Sequence, residues 1–262
     1  PSLWQVLSRP IQSDRLLLEQ LVQRHKLSRT QAILVTHSHY DHVLDVPALL
    51  EILPKTAVVG SPSTLNIARA NPKITRQQLQ PVKLGQVQQW GNFQITAIPS
   101  QHTPPTAVND DLGEELLQPF TLPAKFSEFK EGGSFDYLIE HVGYKILVKA
   151  STGFIPEQLQ HLEVDTLFLG IAQLSRQSAA YQQQYLAETL NLLKPKVVIP
   201  VHWDDFFQPL NQPLQFLPRL ADDSPKSLQL LIQAAERQGT KVVLLSGPQP
   251  YLLNAAVASQ SD

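Results

Sequence analysis

Seven consecutive residues, Thr36-His37-Ser38-His39-Tyr40-Asp41-His42, carry three imidazoles and a carboxylate directly after the apolar run Ala32-Ile33-Leu34-Val35. Neutral imidazole and carboxylate are the donors that zinc and similar divalent ions prefer. Side chains alternate along an extended backbone, so His37 and His39 share a side and can converge on one ion. Asp41 and His42 fall where the chain turns toward the next helical stretch and can face a second ion close by. A buried strand that stops in such a cluster is hard to explain as packing; a polar surface loop that happens to hold histidines is the plain alternative.

The elements that would position this stretch can be read from apolar spacing and cap residues. The run Ala32–Val35 reads as a buried strand. Before it, Leu3-Trp4-Gln5-Val6-Leu7 is strand-like, and a helix begins at Ser13 or Asp14 as N-cap, with Leu16, Leu17, Leu21 and Val22 on one face up to about Leu27. After it, Asp45 to Leu53 reads as a helix with proline in its first turn. Asp45 either accepts an N–H from a ligand histidine, as metal sites often require, or caps that helix. Thr56–Val59 is a short strand, and Ser61-Pro62-Ser63 opens another helix. Gln86–Trp90 and Phe93–Ile98 form a hairpin around Gly91-Asn92.

From Thr103 to Ser134 periodicity is lost. Loops of this length are uncommon and are often lids or substrate-binding segments. Phe120, Phe126 and Phe129 would either turn an apolar underside toward a cleft or anchor the loop. A second hairpin, Phe135–Glu140 with Tyr144–Val148, turns at His141-Val142-Gly143. Ile155-Pro156-Glu157 opens a helix that includes His161, Asp165–Gly170 and Lys196–Val201 are core strands, and Tyr181–Leu193 is a helix between them. Lys226–Gln238 is the last clear helix, Lys241–Leu245 the last strand, and Leu252–Asp262 a tail of little information. His25, His141 and His161 read as structural or solvated.

At 262 residues the chain suits one large domain or two small ones. A net charge of -2 gives no electrostatic case for a nucleic-acid partner. No apolar run reaches the roughly 18 residues of a membrane span. Cysteine is absent, which excludes thiolate ligands and disulfides without fixing a compartment. Methionine is absent too and the chain opens with Pro1-Ser2-Leu3, so a processed or truncated chain is expected and an export signal could have been lost; a cytoplasmic location is slightly favoured.

The order His-x-His-x-Asp-His at 37–42 resembles the signature of the metallo-β-lactamase superfamily. The resemblance runs from about residue 30 to 245 and implies a single domain over 1–262. Its fold would be α/β (α+β), a four-layer αββα sandwich, with a loop insertion at about 103–134 and first strands missing from this sequence. Strand–helix alternation by itself supports only a mixed α/β class. By the same resemblance His102, just past a strand end in Pro99-Ser100-Gln101-His102-Thr103-Pro104-Pro105, completes a three-histidine site with His37 and His39. His202, at the next late strand end, joins Asp41 and His42, and Asp204 or Asp205 either orients it or caps the following turn.

One departure stands out. Family members commonly carry Gly-Asp-Thr/Ser-Gly where this chain has Ala150-Ser151-Thr152-Gly153, so Ser151 takes the position of a metal-bridging aspartate. A neutral hydroxyl balances two dications less well than a carboxylate, so the second ion should be held more weakly. Trp203-Asp204-Asp205-Phe206 looks like the branch that includes L-ascorbate-6-phosphate lactonase and phospholipase-D-like hydrolases.

The resemblance therefore implies a hydrolase with one or two divalent ions, zinc first and manganese or iron as alternatives. Such ions lower the pKa of a water from about 15.7 toward roughly 7. Asp41 and His42 are the catalytic candidates, Asp41 as holder of the water or carrier of its proton. The substrate class is a phosphoester, phosphodiester, lactone or other small or lipid-like ester. One rival is a metal-binding, non-hydrolytic member in which Ser151 replaces the bridging carboxylate. The other is a membrane-associated enzyme that lays the 103–134 loop on lipid. Oligomeric state is open.

Overall fold

The computed structural model describes residues 1–106, 110–209, 211–247 and 251–253. Its chain falls into two compact units, Pro1–Leu84, Pro105–Phe135 and Phe207–Asn211 in the first, and Gly85–Pro104, Asp136–Phe206 and Gln212–Asp262 in the second. Most of the C-terminal tail read from the sequence lies outside the described residues.

The first unit opens with α1 (Leu3–Ser8) and α2 (Arg15–Arg24). The strand expected at Leu3–Leu7 is thus a helix. A capping box decides it: Ser2 Oγ accepts from the Gln5 N–H and Gln5 Oε1 accepts from the Ser2 N–H, while Val6 alone of this stretch turns inward. Asp14 caps α2 by accepting from the Leu17 N–H at 3.0 Å. Then come β1 (Ala32–Leu34), the single turn α3 (Tyr40–Val43), α4 (Val46–Ile52), β2 (Ala57–Gly60), α5 (Pro62–Ala68) and β3 (Leu79–Pro81).

The three strands form a parallel sheet in the order β1-β2-β3, with Leu34 opposite Val59 and Val58 opposite Leu79. β2 is buried along its whole length, as a central strand with helical crossovers must be. Val35, Val43, Val46, Leu50, Val58 and Ile67 make the core, and Phe129 of the 103–134 segment belongs to it at 2% exposure. Phe120 and Phe126 pack against the same core, and Phe120 lies 4.8 Å from the Phe129 ring. These phenylalanines are anchors of the loop, the second of the two readings the sequence allowed.

The second unit carries β4 (Val87–Trp90), β5 (Phe93–Pro99), β6 (Phe135–His141), β7 (Tyr144–Lys149), β8 (Thr166–Gly170), α6 (Ala179–Leu186), β9 (Val197–Val201), α7 (Ser224–Gln238) and β10 (Lys241–Val242). Its seven-stranded sheet runs β10-β9-β8-β7-β6-β5-β4. The pairs β4–β5 and β6–β7 are antiparallel hairpins, with Trp90 opposite Phe93 across Gly91 at φ 58°. From β7 to β10 the pairing is parallel. Leu147, Leu167, Leu169 and Val198 of the sheet bury against Tyr185 and Leu190 on one side of the α6 stretch and Leu231 and Ala235 of α7. α6 runs on into a wider π turn over Ala187–Asn191, and Leu192 and Leu193 return to α-helix to complete the expected length.

The helix expected from Ile155 through His161 is a run of turns instead. Glu157 at φ 62° and His161 at φ 73° sit in the left-handed region, which no α-helix of L-residues can hold. Among the described residues, no helix is long and apolar enough to cross a membrane.

Candidate metal centre

In the first unit, β1 delivers the motif and the backbone on either side holds it. The Val35 N–H donates to the Val59 carbonyl at 3.0 Å, the Phe135 N–H donates to Thr36 at 2.8 Å, and the Ser38 N–H donates to Glu131 at 2.8 Å. The stretch is therefore clamped between β2 and residues 131–135. His37 is 1% exposed, and its Nδ1 lies 3.4 Å from Thr36 Oγ1. His39 occupies the N-cap of α3, and that turn sets the spacing: the His42 N–H donates to the His39 carbonyl at 3.0 Å.

The side chains gather. The His37 and His42 ring centres are 3.8 Å apart, and those of His37 and His39 are 5.0 Å apart and nearly perpendicular. Asp41 Oδ2 lies 3.4 Å from His42 Nε2. Imidazole nitrogens and a carboxylate gathered this closely are the donors a divalent ion takes. The chemistry of the donor set therefore fits such an ion, and thiolate is not needed.

Sequence reasoning missed one neighbour. Asp111 Oδ1 lies 3.0 Å from His39 Nε2, 72 residues further on. Nothing local in the sequence marks that carboxylate, because it stands in the aperiodic 103–134 segment.

Asp45 stands at the N-cap position of α4, one of the two places its sequence position allowed, and its carboxyl group makes no cap bond there. Burial pushes that carboxyl above the usual carboxylate range, against the opposing pull of Ser13. Ser13 in turn donates to the Leu44 carbonyl at 2.8 Å, which leaves the α2 cap to Asp14.

In the second unit, His102 follows β5, and its Nδ1 lies 3.1 Å from the Thr103 carbonyl. Two devices fix that loop. Buried Lys149 at the end of β7 donates to Ser100 Oγ at 2.9 Å and faces Asp136 Oδ2 at 3.3 Å. Burial pushes the Asp136 carboxyl up despite the lysine. The second device is Thr152, whose hydroxyl meets Thr103 Oγ1 at 2.9 Å and the Ala172 carbonyl at 3.1 Å.

Ser151 is 8% exposed between these anchors, and its carbonyl, with that of Gly170, accepts from the Tyr185 hydroxyl. Gly153 lies against the Gln101 and His102 carbonyls so closely that no β-carbon fits. His202 ends β9 in the left-handed region at φ 58°, with the Phe206 ring centre 5.3 Å away. Asp204 pairs its backbone with Phe216.

Comparison with known proteins gives three kinds of match. A family model described as a beta-lactamase superfamily domain matches residues 6–203. A UPF0173 metal-dependent hydrolase of Polaromonas sp. (strain JS666) is 28% identical over 209 residues, which cover 78% of this chain and 71% of that relative.

Among solved structures, the metallo-beta-lactamase fold protein YhfI from Bacillus subtilis superposes with a TM-score of 0.54 at 11% identity, over 92% of this chain and 83% of that one. CmlA, a diiron beta-hydroxylase from Streptomyces venezuelae, gives a TM-score of 0.55 at 15% identity, over 84% of this chain and 44% of that one. At these identities the two structures speak for the fold alone.

Proposed function

The chain belongs to the beta-lactamase superfamily domain family, and on that premise we propose that it is a metal-dependent hydrolase acting on an ester-type bond. The observation that carries this reading is the knot of His37, His39, Asp41 and His42 at the end of β1. By the resemblance of the motif and of the later strand-end histidines, the proposed ligand sets are His37, His39 and His102 for one ion and Asp41, His42 and His202 for another. Zinc is the ion proposed first, since imidazole and carboxylate donors without thiolate suit it, with manganese or iron as alternatives.

When bound, such ions supply Lewis acidity and an activated water at neutral pH. The protein's own part is orientation and proton handling. The Asp41 carboxylate, on the first turn of α3, would hold that water by hydrogen bonding and accept its proton. His37, buried at 1% exposure, supplies an imidazole from which bulk water is excluded. Ser151 offers a hydroxyl where a charged bridge is expected, so it would lower the occupancy of the second ion at a given metal concentration.

The proposed substrates are small phosphoesters, phosphodiesters, lactones or lipid-like esters. With a net charge of -2 the chain has no excess of cations for a polyanion such as RNA. The fold does not choose among these chemistries. A second reading, a metal-binding protein without hydrolytic activity, is favoured by Ser151.

The test is metal content by mass spectrometry, followed by assays of the loaded protein on phosphodiesters, lactones and thioesters. Hydrolysis of one class that His37→Ala abolishes is the expected result. Full metal occupancy with no turnover on any class would leave the second reading standing, and absence of bound metal would remove both.

A further inference from the structure

Metal-binding histidines depend on what their second nitrogen touches. An N–H donated to a carboxylate fixes the tautomer, stops the ring from rotating and makes the other nitrogen a better donor. We propose that Asp111 is the positioning residue for His39: it accepts the Nε2–H and so presents Nδ1 as the nitrogen that takes the ion. This rests on the metal-dependent reading above and assigns a part of the 103–134 segment to the site.

The geometry points this way on three counts. Asp111 Oδ1 is 3.0 Å from His39 Nε2, within hydrogen-bond length. The carboxylate is also held at its other oxygen, since Oδ2 accepts from the Glu131 N–H at 3.1 Å. Glu131 is itself fixed. At 4% exposure its carboxylate accepts from the Gly113 N–H at 2.9 Å, the Gly133 N–H at 3.0 Å and the Ser134 hydroxyl. Its carbonyl then accepts from the Ser38 N–H at 2.8 Å and from the Ser38 hydroxyl at 3.1 Å.

These bonds close a circuit, His39 to Asp111 to Glu131 to Ser38, that begins and ends on adjacent residues of the motif. A loop anchor would need only the Glu131 half, in which a buried carboxylate gathers backbone N–H groups. The Asp111 half adds a second carboxylate and aims it at an imidazole. The 103–134 segment is then a brace on the metal site rather than a lid, held also by the Phe126 and Phe129 rings, 6.2 and 6.5 Å from Tyr40.

The experiment compares wild type, Asp111→Asn and Asp111→Ala by titrating the apo proteins with Zn2+ against a chromophoric chelator. Thermal melts of the same apo samples are recorded beside it. Loss of an outer carboxylate at a histidine site costs about 10–100-fold in metal affinity. Asp111→Ala should show a loss of that order with stoichiometry unchanged. Asp111→Asn, which keeps an acceptor oxygen without the charge, should fall between the two.

The Co2+-loaded variants should show shifted visible bands. In wild type alone, Zn2+ should slow hydrogen exchange at the Glu131 N–H. A lower apo melting temperature with unchanged Zn2+ affinity and unchanged Co2+ bands would make Asp111 a loop anchor and overturn the proposal. Loss of one whole equivalent of zinc would make it a ligand and overturn the proposal equally. Failure of wild type to bind Zn2+ would instead sink the metal-dependent reading, so the two failures are distinguishable.

Discussion

Gly153 has no room for a side chain, because the carbonyls of Gln101 and His102 occupy the space a methyl group would need. Gly153→Ala should therefore push the His102 loop aside and cost roughly 1–3 kcal/mol, the usual range for overpacking. If His102 is a ligand, zinc affinity should fall with stability. A denaturant midpoint and a metal titration on one sample check both, and a destabilised variant with wild-type affinity would remove His102 from the ligand set. Ser151→Asp should do the reverse and raise affinity for the second ion; unchanged stoichiometry and affinity in calorimetry would contradict the assignment of position 151. The donors of 37–42 were legible in sequence because they are contiguous and follow an apolar run. Asp111 was not, because a carboxylate 72 residues from its partner leaves no periodic trace. Asp45 is half legible: its place ahead of a helix gave the N-cap position, but not that the cap bond itself is missing.

Between elements, Glu51 near the end of α4 is a concentrated electrostatic joint of the first unit. It pairs with Arg15 of α2 at 2.6 Å and with Lys73 at 2.6 Å, and accepts from Asn71 at 2.7 Å. Arg15 first, then Lys73 and Asn71, hold its carboxyl down at about 2, below the ordinary 4.5. A depressed carboxylate stabilises the folded state fully above its unfolded value and loses that contribution as pH falls toward its folded one. The stability gap between wild type and Glu51→Gln should thus be constant above about pH 4.5 and close between there and about pH 2. Urea midpoints across that range measure it, and a gap independent of pH would remove the ionic part of the joint. Strands were the most legible elements: β1, β8 and β9 are short apolar runs ending in turn or site residues. Helices were less so. Leu3–Leu7 carries apolar residues that suit either state, and the Ser2–Gln5 box tips it to helix. The segment at 155–161 has a helix-like start, yet its left-handed Glu157 and His161 break it into turns.

For the molecule as a whole, metal binding should appear as added stability. A ligand at about 100 times its Kd contributes about 2.7 kcal/mol to the state that binds it. For a chain of this size that is a rise of roughly 5–10 °C in Tm, at about 2–4 °C per kcal/mol. Chelation should lower Tm by that order and added zinc should restore it; a melt indifferent to both would argue that no ion is bound. The mixed α/β class was legible from alternation of strands and helices, but the division into two units was not. Each unit is assembled from separated stretches, so no shift of composition marks a border. That interleaving bears on how such a protein can be inherited. A gene fragment ending at residue 84 would encode all of 37–42 yet omit Ala124, Phe129 and Glu131, which complete the core and the clamp around it. No single breakpoint can therefore part the chain into its two units with both intact, and the full reading frame is what carries the two together.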